Sequence, residues 1–138
     1  MNTKRIMCLA ALCITLLAGC SSNADRVQHE IDKENKALSK KAKQIGEELY
    51  MDSVWRDPEF VVYEVEYRGD NEIFALNIID QTRDDFRRLY VGTLSEELRR
   101  TFTDGGYGVR VNITGKRTRQ KVTLEVPCNE LKAGISKP

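Results

Sequence analysis

A hydrolytic centre needs a nucleophile with a base held within hydrogen-bond reach, so the single histidine is the first residue to place. His29 lies in a charge-dense run near the N-terminus, and the cysteine that could serve as its nucleophile, Cys128, lies at the opposite end of the chain. That separation disfavours a Cys–His or Ser–His–Asp arrangement, and His29 is expected to be a solvated surface imidazole. Cys128 is expected to act as a small apolar residue at the end of a last strand, the alternative being an intermolecular disulfide in an oxidising compartment.

Metal and phosphate chemistry find no better footing. There is no C-x-x-C, H-E-x-x-H or EF-hand loop. Asp80, Asp84 and Asp85 sit where a helix should begin, and carboxylates there complement the helix dipole. Gly105-Gly106-Tyr107-Gly108 is glycine-rich but precedes a strand pattern rather than a helix, which argues against a phosphate loop. The sequence therefore predicts no metal, no cofactor and no enzymatic activity. Weak glycan hydrolysis by a carboxylate pair stays open, because Asp and Glu number 21 and their separations are not legible. The local charge feature is a basic group, Arg110, Lys116, Arg117, Arg119 and Lys121, with Glu125 opposing it. It is either a contact for an anionic envelope partner or a solvated hairpin tip that guards sheet edges against mispairing.

What must position these residues begins with the N-terminus. Lys4 and Arg5 precede an apolar run from Ile6 to Leu17, and small residues then lead to Cys20. This is the three-part pattern of a secretory signal. It is too short for a membrane span, which needs about 20 apolar residues. Leu17-Ala18-Gly19-Cys20 resembles the lipobox of bacterial lipoproteins. The resemblance implies cleavage between Gly19 and Cys20, with fatty chains such as palmitate attached at Cys20. Multiple chains, at about 0.8 kcal/mol per buried CH₂, make a lasting bilayer anchor. Ser21 is compatible with transfer to the outer membrane, where enterobacterial sorting would retain an aspartate in the inner one.

Removing the first 19 of 138 residues leaves 119, enough for one domain. Cys8 and Cys13 leave with the signal and Cys20 is consumed by lipid, so Cys128 has no intrachain partner. The formal charge of +1 becomes −1 once Lys4 and Arg5 are gone. Near-neutrality argues against a nucleic-acid partner.

Residues 20–24 read as lipidated cysteine and tether, and residues 25–138 as a single domain. From Asp25 to about Asp52 the pattern predicts one long helix. Ile31, Asn35, Leu38, Ala42, Ile45 and Leu49 form a heptad-spaced seam. Either this stripe lies on the chain's own domain or it oligomerises, with 25–45 projecting as a stalk. Tyr50, Met51 and Trp55 fall where that helix should end, to pack it on the sheet or to contact a partner. Glu59 to Arg68 alternates as a strand, and Gly69-Asp70-Asn71 is a turn. Ile73 to Ile79 fits a buried strand or the opening of a helix. Thr82 with Asp85, and Thr93 with Glu96, are candidate helix caps. Phe86, Leu89, Tyr90, Leu94, Leu98 and Phe102 mark one helical face that ends at Asp104-Gly105-Gly106. Tyr107 to Ile113 and Val122 to Val126 are strands joined by Thr114 to Arg119. Pro127 ends the second, and Asn129 to Lys132 fits one helical turn.

The resulting expectation is an α+β fold in the order α-β-(β)-α-β-β, with an antiparallel sheet of three or four strands packed on one amphipathic helix. Over Glu47 to Leu131, with Val-Val-Tyr-Glu-Val-Glu-Tyr at 61–67 as its clearest strand, the chain resembles small lipoproteins of unknown function from gut and oral bacteria. That resemblance implies fold, not activity. The functional expectation is a membrane-anchored envelope lipoprotein that binds or assists another envelope protein or polymer.

Overall fold

Alternation in the residues 60–67 builds the centre of the molecule. The computed structural model describes residues 23–136. The signal segment, the lipobox, Cys20 and the first part of the tether lie outside them. Strand β3 (Phe60–Tyr67) is flanked by β2 (Leu49–Arg56) and β4 (Gly108–Gly115), with β1 (Lys43–Gly46) and β5 (Lys121–Val126) at the two ends. Spatial order follows chain order, β1-β2-β3-β4-β5.

The fold is α+β, as the sequence implies, but the sheet is five-stranded and mixed rather than three or four antiparallel strands. β3 and β4 run parallel, in register from Phe60 opposite Gly108 to Tyr67 opposite Gly115. A parallel pair needs a long crossover. Three helices supply it: α2 (Glu72–Gln81), α3 (Arg83–Thr93) and α4 (Glu96–Asp104). The other pairings are antiparallel.

The helices cover one face of the sheet. Val61, Tyr63, Val65 and Tyr67 of β3 join Val109, Val111 and Ile113 of β4 in a core completed by Val27, Ile31, Leu38, Leu76, Tyr90, Phe102 and Leu131. Val62 is also fully buried, yet it lies outside that core cluster. It points to the opposite face, where a polar chain runs across the strands. The Trp55 indole and the Asn112 amide donate to Glu64 at 3.2 and 2.9 Å, and the Thr123 hydroxyl donates to Asn112 at 3.0 Å.

The predicted Asp25–Asp52 helix is corrected. Helix α1 covers 23–40 among the described residues, and the chain then turns into β1 and β2. Ile31 and Leu38 of the heptad seam are buried, but Ile45 lies in β1 and Leu49 in β2. Strand pairing wins because it buries Leu49, Met51 and Val54 while β2 pairs with β3 along one edge, the other edge being met by β1 as far as Met51 and by the Asn35 side chain at Val54. A register shift between Met51 and Ser53 interrupts the period-2 pattern, which conceals the strand in the sequence. The described part of α1 is packed down rather than projecting as a stalk, since Val27 is already fully buried. Asn23 and Ala24, expected as tether, are helical. Met51 faces the core, whereas Trp55 is exposed and the Tyr50 ring carries the Arg68 guanidinium at 4.4 Å.

The helix caps differ as well. Thr82 caps nothing with its side chain; its hydroxyl donates back to the Ile78 carbonyl at 2.7 Å. Thr93 likewise donates to the Tyr90 carbonyl. Ser95 is the residue that caps α4, accepting from the Leu98 N–H at 3.1 Å. Residues 73–79 resolve as helix, and the single turn expected near Asn129 is a longer helix, α5 (Cys128–Ser136).

Candidate functional site: an apolar cleft between hairpin and helices

Glu72 fixes where α2 begins. Its buried carboxylate accepts the Arg117 and Thr118 N–H groups at 2.8 and 2.5 Å, tying the helix to the β4–β5 turn. These hydrogen bonds stabilise the anion and hold its pKa below the ordinary 4.5, the Arg117 N–H being the largest cause. Gly115 makes this approach sterically feasible, because a Cβ there would collide with the Glu72 carboxyl.

From that anchor α2 buries Leu76 but leaves Phe74 and Ile78 exposed. After the turn at Thr82, α3 presents Phe86, Leu89 and Tyr90, and Leu94 and Leu98 follow. Opposite them stands the β1–β2 hairpin with Ile45, Leu49 and Met51, while Tyr63 and Tyr67 of β3 form the floor. The space between is a cavity of about 930 Å³. That volume lies within the usual range for small-molecule sites, roughly 300–1,000 Å³. Phe74 and Leu89 are each 68% exposed at its margin, an unusual cost for a surface helix unless something covers them.

The deep wall holds two phenols. Tyr63 and Tyr90 meet edge to face, with ring centroids 5.6 Å apart. Burial, reinforced by the Glu34 carboxylate, pushes both hydroxyls well above the ordinary tyrosine range, so both stay neutral. The Tyr90 hydroxyl is buried with no hydrogen-bond partner among the described residues. At the margin Glu34, Glu47 and Glu48 stand against Lys43, which approaches Glu34 at 3.9 Å. The lining carries no His or Cys.

Comparison with known proteins adds the fold. No protein-family model and no curated protein matches the chain. Among solved structures it is similar to a Pseudomonas aeruginosa protein provisionally described as secreted, with a TM-score of 0.58 and 12% sequence identity. The match covers 79% of this chain and 96% of that one. At this identity the likeness establishes a shared fold.

The basic group singled out in the sequence is divided by the structure. Lys116, Arg117 and Arg119 occupy the β4–β5 turn with Lys121 beside them, and Arg117 approaches Asp70 at 3.5 Å. Arg110 instead lies on the open face of β4, paired with Asp57 and Glu125 at 2.8 Å each and stacked over the Phe60 ring. Its hydrogen bond to Glu125 is the main cause raising its pKa. His29 is exposed on α1. The Cys128 thiol is free and half-buried, 3.8 Å from the Thr103 carbonyl. Asp80, Asp84 and Asp85 each pair with the arginine three residues on, Arg83, Arg87 and Arg88. Among the described residues no group of three or more His, Cys, Asp or Glu is placed to hold a metal. No described helix is long and apolar enough to cross a membrane.

Sequence reasoning missed the cleft because its walls come from seven separate elements. The available signal was a surplus of apolar residues: Leu89, expected on the core-facing stripe, is mostly in solvent.

Proposed function

We propose that this chain is a non-enzymatic lipoprotein of the bacterial envelope that binds the apolar part of an envelope ligand in the cleft beside β3. The observation that carries the reading is the cavity itself, with Phe74, Ile78 and Leu89 held exposed around it. Burying such residues is worth about 1.5–3 kcal/mol each, so leaving them in water favours a site meant to be filled. The lipobox-like Leu17-Ala18-Gly19-Cys20 supports anchoring through acyl chains at Cys20, and Ser21 supports the outer membrane. Asn23, three residues after position 20, is already helical and part of the domain, so an anchor at Cys20 would hold the domain close to the bilayer. Likeness to a protein provisionally described as secreted agrees with an extracytoplasmic location.

Two measurements test this. Cells given an alkyne-tagged palmitate should label the wild-type chain and leave Cys20→Ser unlabelled; equal labelling would remove the anchor. The fluorescent apolar probe N-phenyl-1-naphthylamine should brighten on the protein, and the double variant Phe74→Ser/Leu89→Ser should weaken that binding at least tenfold. Unchanged probe binding in the double variant would remove the cleft as the site.

A further inference from the structure

The two lateral edges of the sheet are built differently. At one end β1 is four residues long with a register shift between Gln44 and Gly46, and beyond its reach the Asn35 side chain occupies the β2 edge at Val54. At the other end β5 pairs with β4 alone, and among the described residues no hydrogen bond reaches its outer backbone groups. We propose that this free edge is the seam of a symmetric dimer: two copies of the chain pair antiparallel along β5, rotated about Thr123, and join their sheets into one. The cleft takes no part in this contact.

The hydrogen-bond phase of the β4–β5 hairpin sets which groups are free. The Gly115 N–H donates to the Gln120 carbonyl at 2.9 Å. Antiparallel pairs alternate between bonded and non-bonded, so Val122, Leu124 and Val126 turn their backbone groups towards β4, whereas Lys121, Thr123 and Glu125 turn theirs outward. Placing Thr123 opposite Thr123 of a second copy sets Lys121 opposite Glu125 on both sides of the axis. Every outward N–H and C=O of the three residues then has a partner. The side chains agree with this register. Thr123 and Glu125 bond to Asn112 and Arg110 on the face that the helices leave open, Lys121 shares that face, and Val122 and Leu124 are buried in the core. The rotation brings two threonines together and matches Lys121 with Glu125 twice, cross-strand pairs that stabilise a sheet. Glu125 keeps 44% of its side chain exposed beside Arg110 and has room for a second cation. Charges that guard an edge work by repelling a second copy. On β5 they are opposite in sign and equidistant from Thr123, so a two-fold rotation makes them attract. A shift of two residues sets Lys121 opposite Thr123 or Pro127 instead, and only the register centred on Thr123 pairs Lys121 with Glu125.

Single cysteines read this register in cells making the full chain with Cys128→Ser. Thr123→Cys should give a disulfide-linked dimer on mild oxidation, since bonded cross-strand pairs hold their Cα atoms about 5.5 Å apart and a disulfide spans about 4.4–6.8 Å. Lys121→Cys alone should not crosslink above the Cys128→Ser parent, because its symmetry mate lies about 14 Å away. Copies carrying Lys121→Cys and Glu125→Cys, made together, should crosslink to each other. Charge reversal gives an independent reading. Lys121→Glu and Glu125→Lys should each slow crosslinking through Thr123→Cys about tenfold, and making the two reversed copies together should restore it between them. A change confined to one copy cannot produce that rescue. Lys121→Cys alone crosslinking as well as Thr123→Cys, crosslinking that ignores both reversals, or no dimer from Thr123→Cys above the parent overturns the proposal.

Discussion

The side-chain amide of Asn35 holds both backbone groups of Val54, donating to its carbonyl at 2.7 Å and accepting from its N–H at 2.8 Å. Strand β1 pairs with β2 only as far as Met51, so beyond the register shift β2 would present an open edge. A helix residue thus substitutes for the missing strand and covers a site where another chain could pair. Asn35→Ala should destabilise the fold by about 1–3 kcal/mol, because two buried-edge hydrogen bonds are lost and Val54 is left unpaired. Urea unfolding measures this directly. A midpoint unchanged from wild type would show that water serves the edge equally well.

Glu72 links the stability of the fold to acid pH. Its folded pKa lies below the ordinary 4.5, so the unfolded chain binds its proton more readily. The stability it contributes is present above pH 4.5 and is lost as pH falls through the lower folded value. Asp57 acts in the same direction, chiefly through the Glu59 N–H, whereas burial raises Asp52 and opposes them. Glu72→Gln should therefore lower the melting temperature at neutral pH and flatten its fall as the pH drops below 4.5. An acid limb as steep as the wild type's would assign the pH dependence to Asp57 instead.

How far the sequence carried depends on which periodicities tertiary pairing left intact. Val61, Tyr63, Val65 and Tyr67 alternate because β3 buries one face continuously under helices, and the final hairpin reads the same way. The β1–β2 hairpin was illegible for a specific reason. Ile31, Asn35 and Leu38 do lie on the inner side of a helix, and Ile45 and Leu49 continue the spacing by coincidence in strands. No Gly or Pro marks the end of α1 near residue 40, and the irregularity at Asp52 breaks the alternation that would have announced β2. The parallel β3–β4 pair was likewise hidden, since register between distant strands leaves no local trace. The cleft depends on all of these at once, so only its apolar surplus could have been noticed. The α+β class survived these errors because each helix and strand still buries one stripe against the other layer.

Removing the Tyr90 hydroxyl should stabilise the ligand-free protein. The group is buried and unpaired, while its ring packs on Tyr63. Tyr90→Phe keeps the ring and deletes the unpaired polar atom, which should raise stability by about 1 kcal/mol. Leu76→Ala, on the buried side of α2, should instead cost about 2–5 kcal/mol. Thermal unfolding of the two variants separates the cases. A loss of stability in Tyr90→Phe would mean that the hydroxyl has a partner after all.

The β4–β5 turn offers a test of the basic tip against a membrane surface. Lys116, Arg117, Arg119 and Lys121 are concentrated there, and Arg117 meets the carboxylate of Asp70 only at 3.5 Å between exposed side chains. Arg110 is different in kind, already neutralised by Asp57 and Glu125. A basic residue near an anionic leaflet contributes about 1 kcal/mol at physiological ionic strength. The full chain with Cys20→Ser should therefore bind vesicles containing anionic lipid, and changing Lys116, Arg117 and Arg119 together to serine should weaken this at least tenfold. Screening shortens the reach of these charges to about 3 Å at 1 M salt, so wild-type binding should fall towards that of the triple variant there. Arg110→Gln should leave vesicle binding unchanged and lower stability, because Asp57 and Glu125 lose their shared partner. Binding that ignores both the triple substitution and salt would leave the turn as a solvated tip that protects the sheet edge.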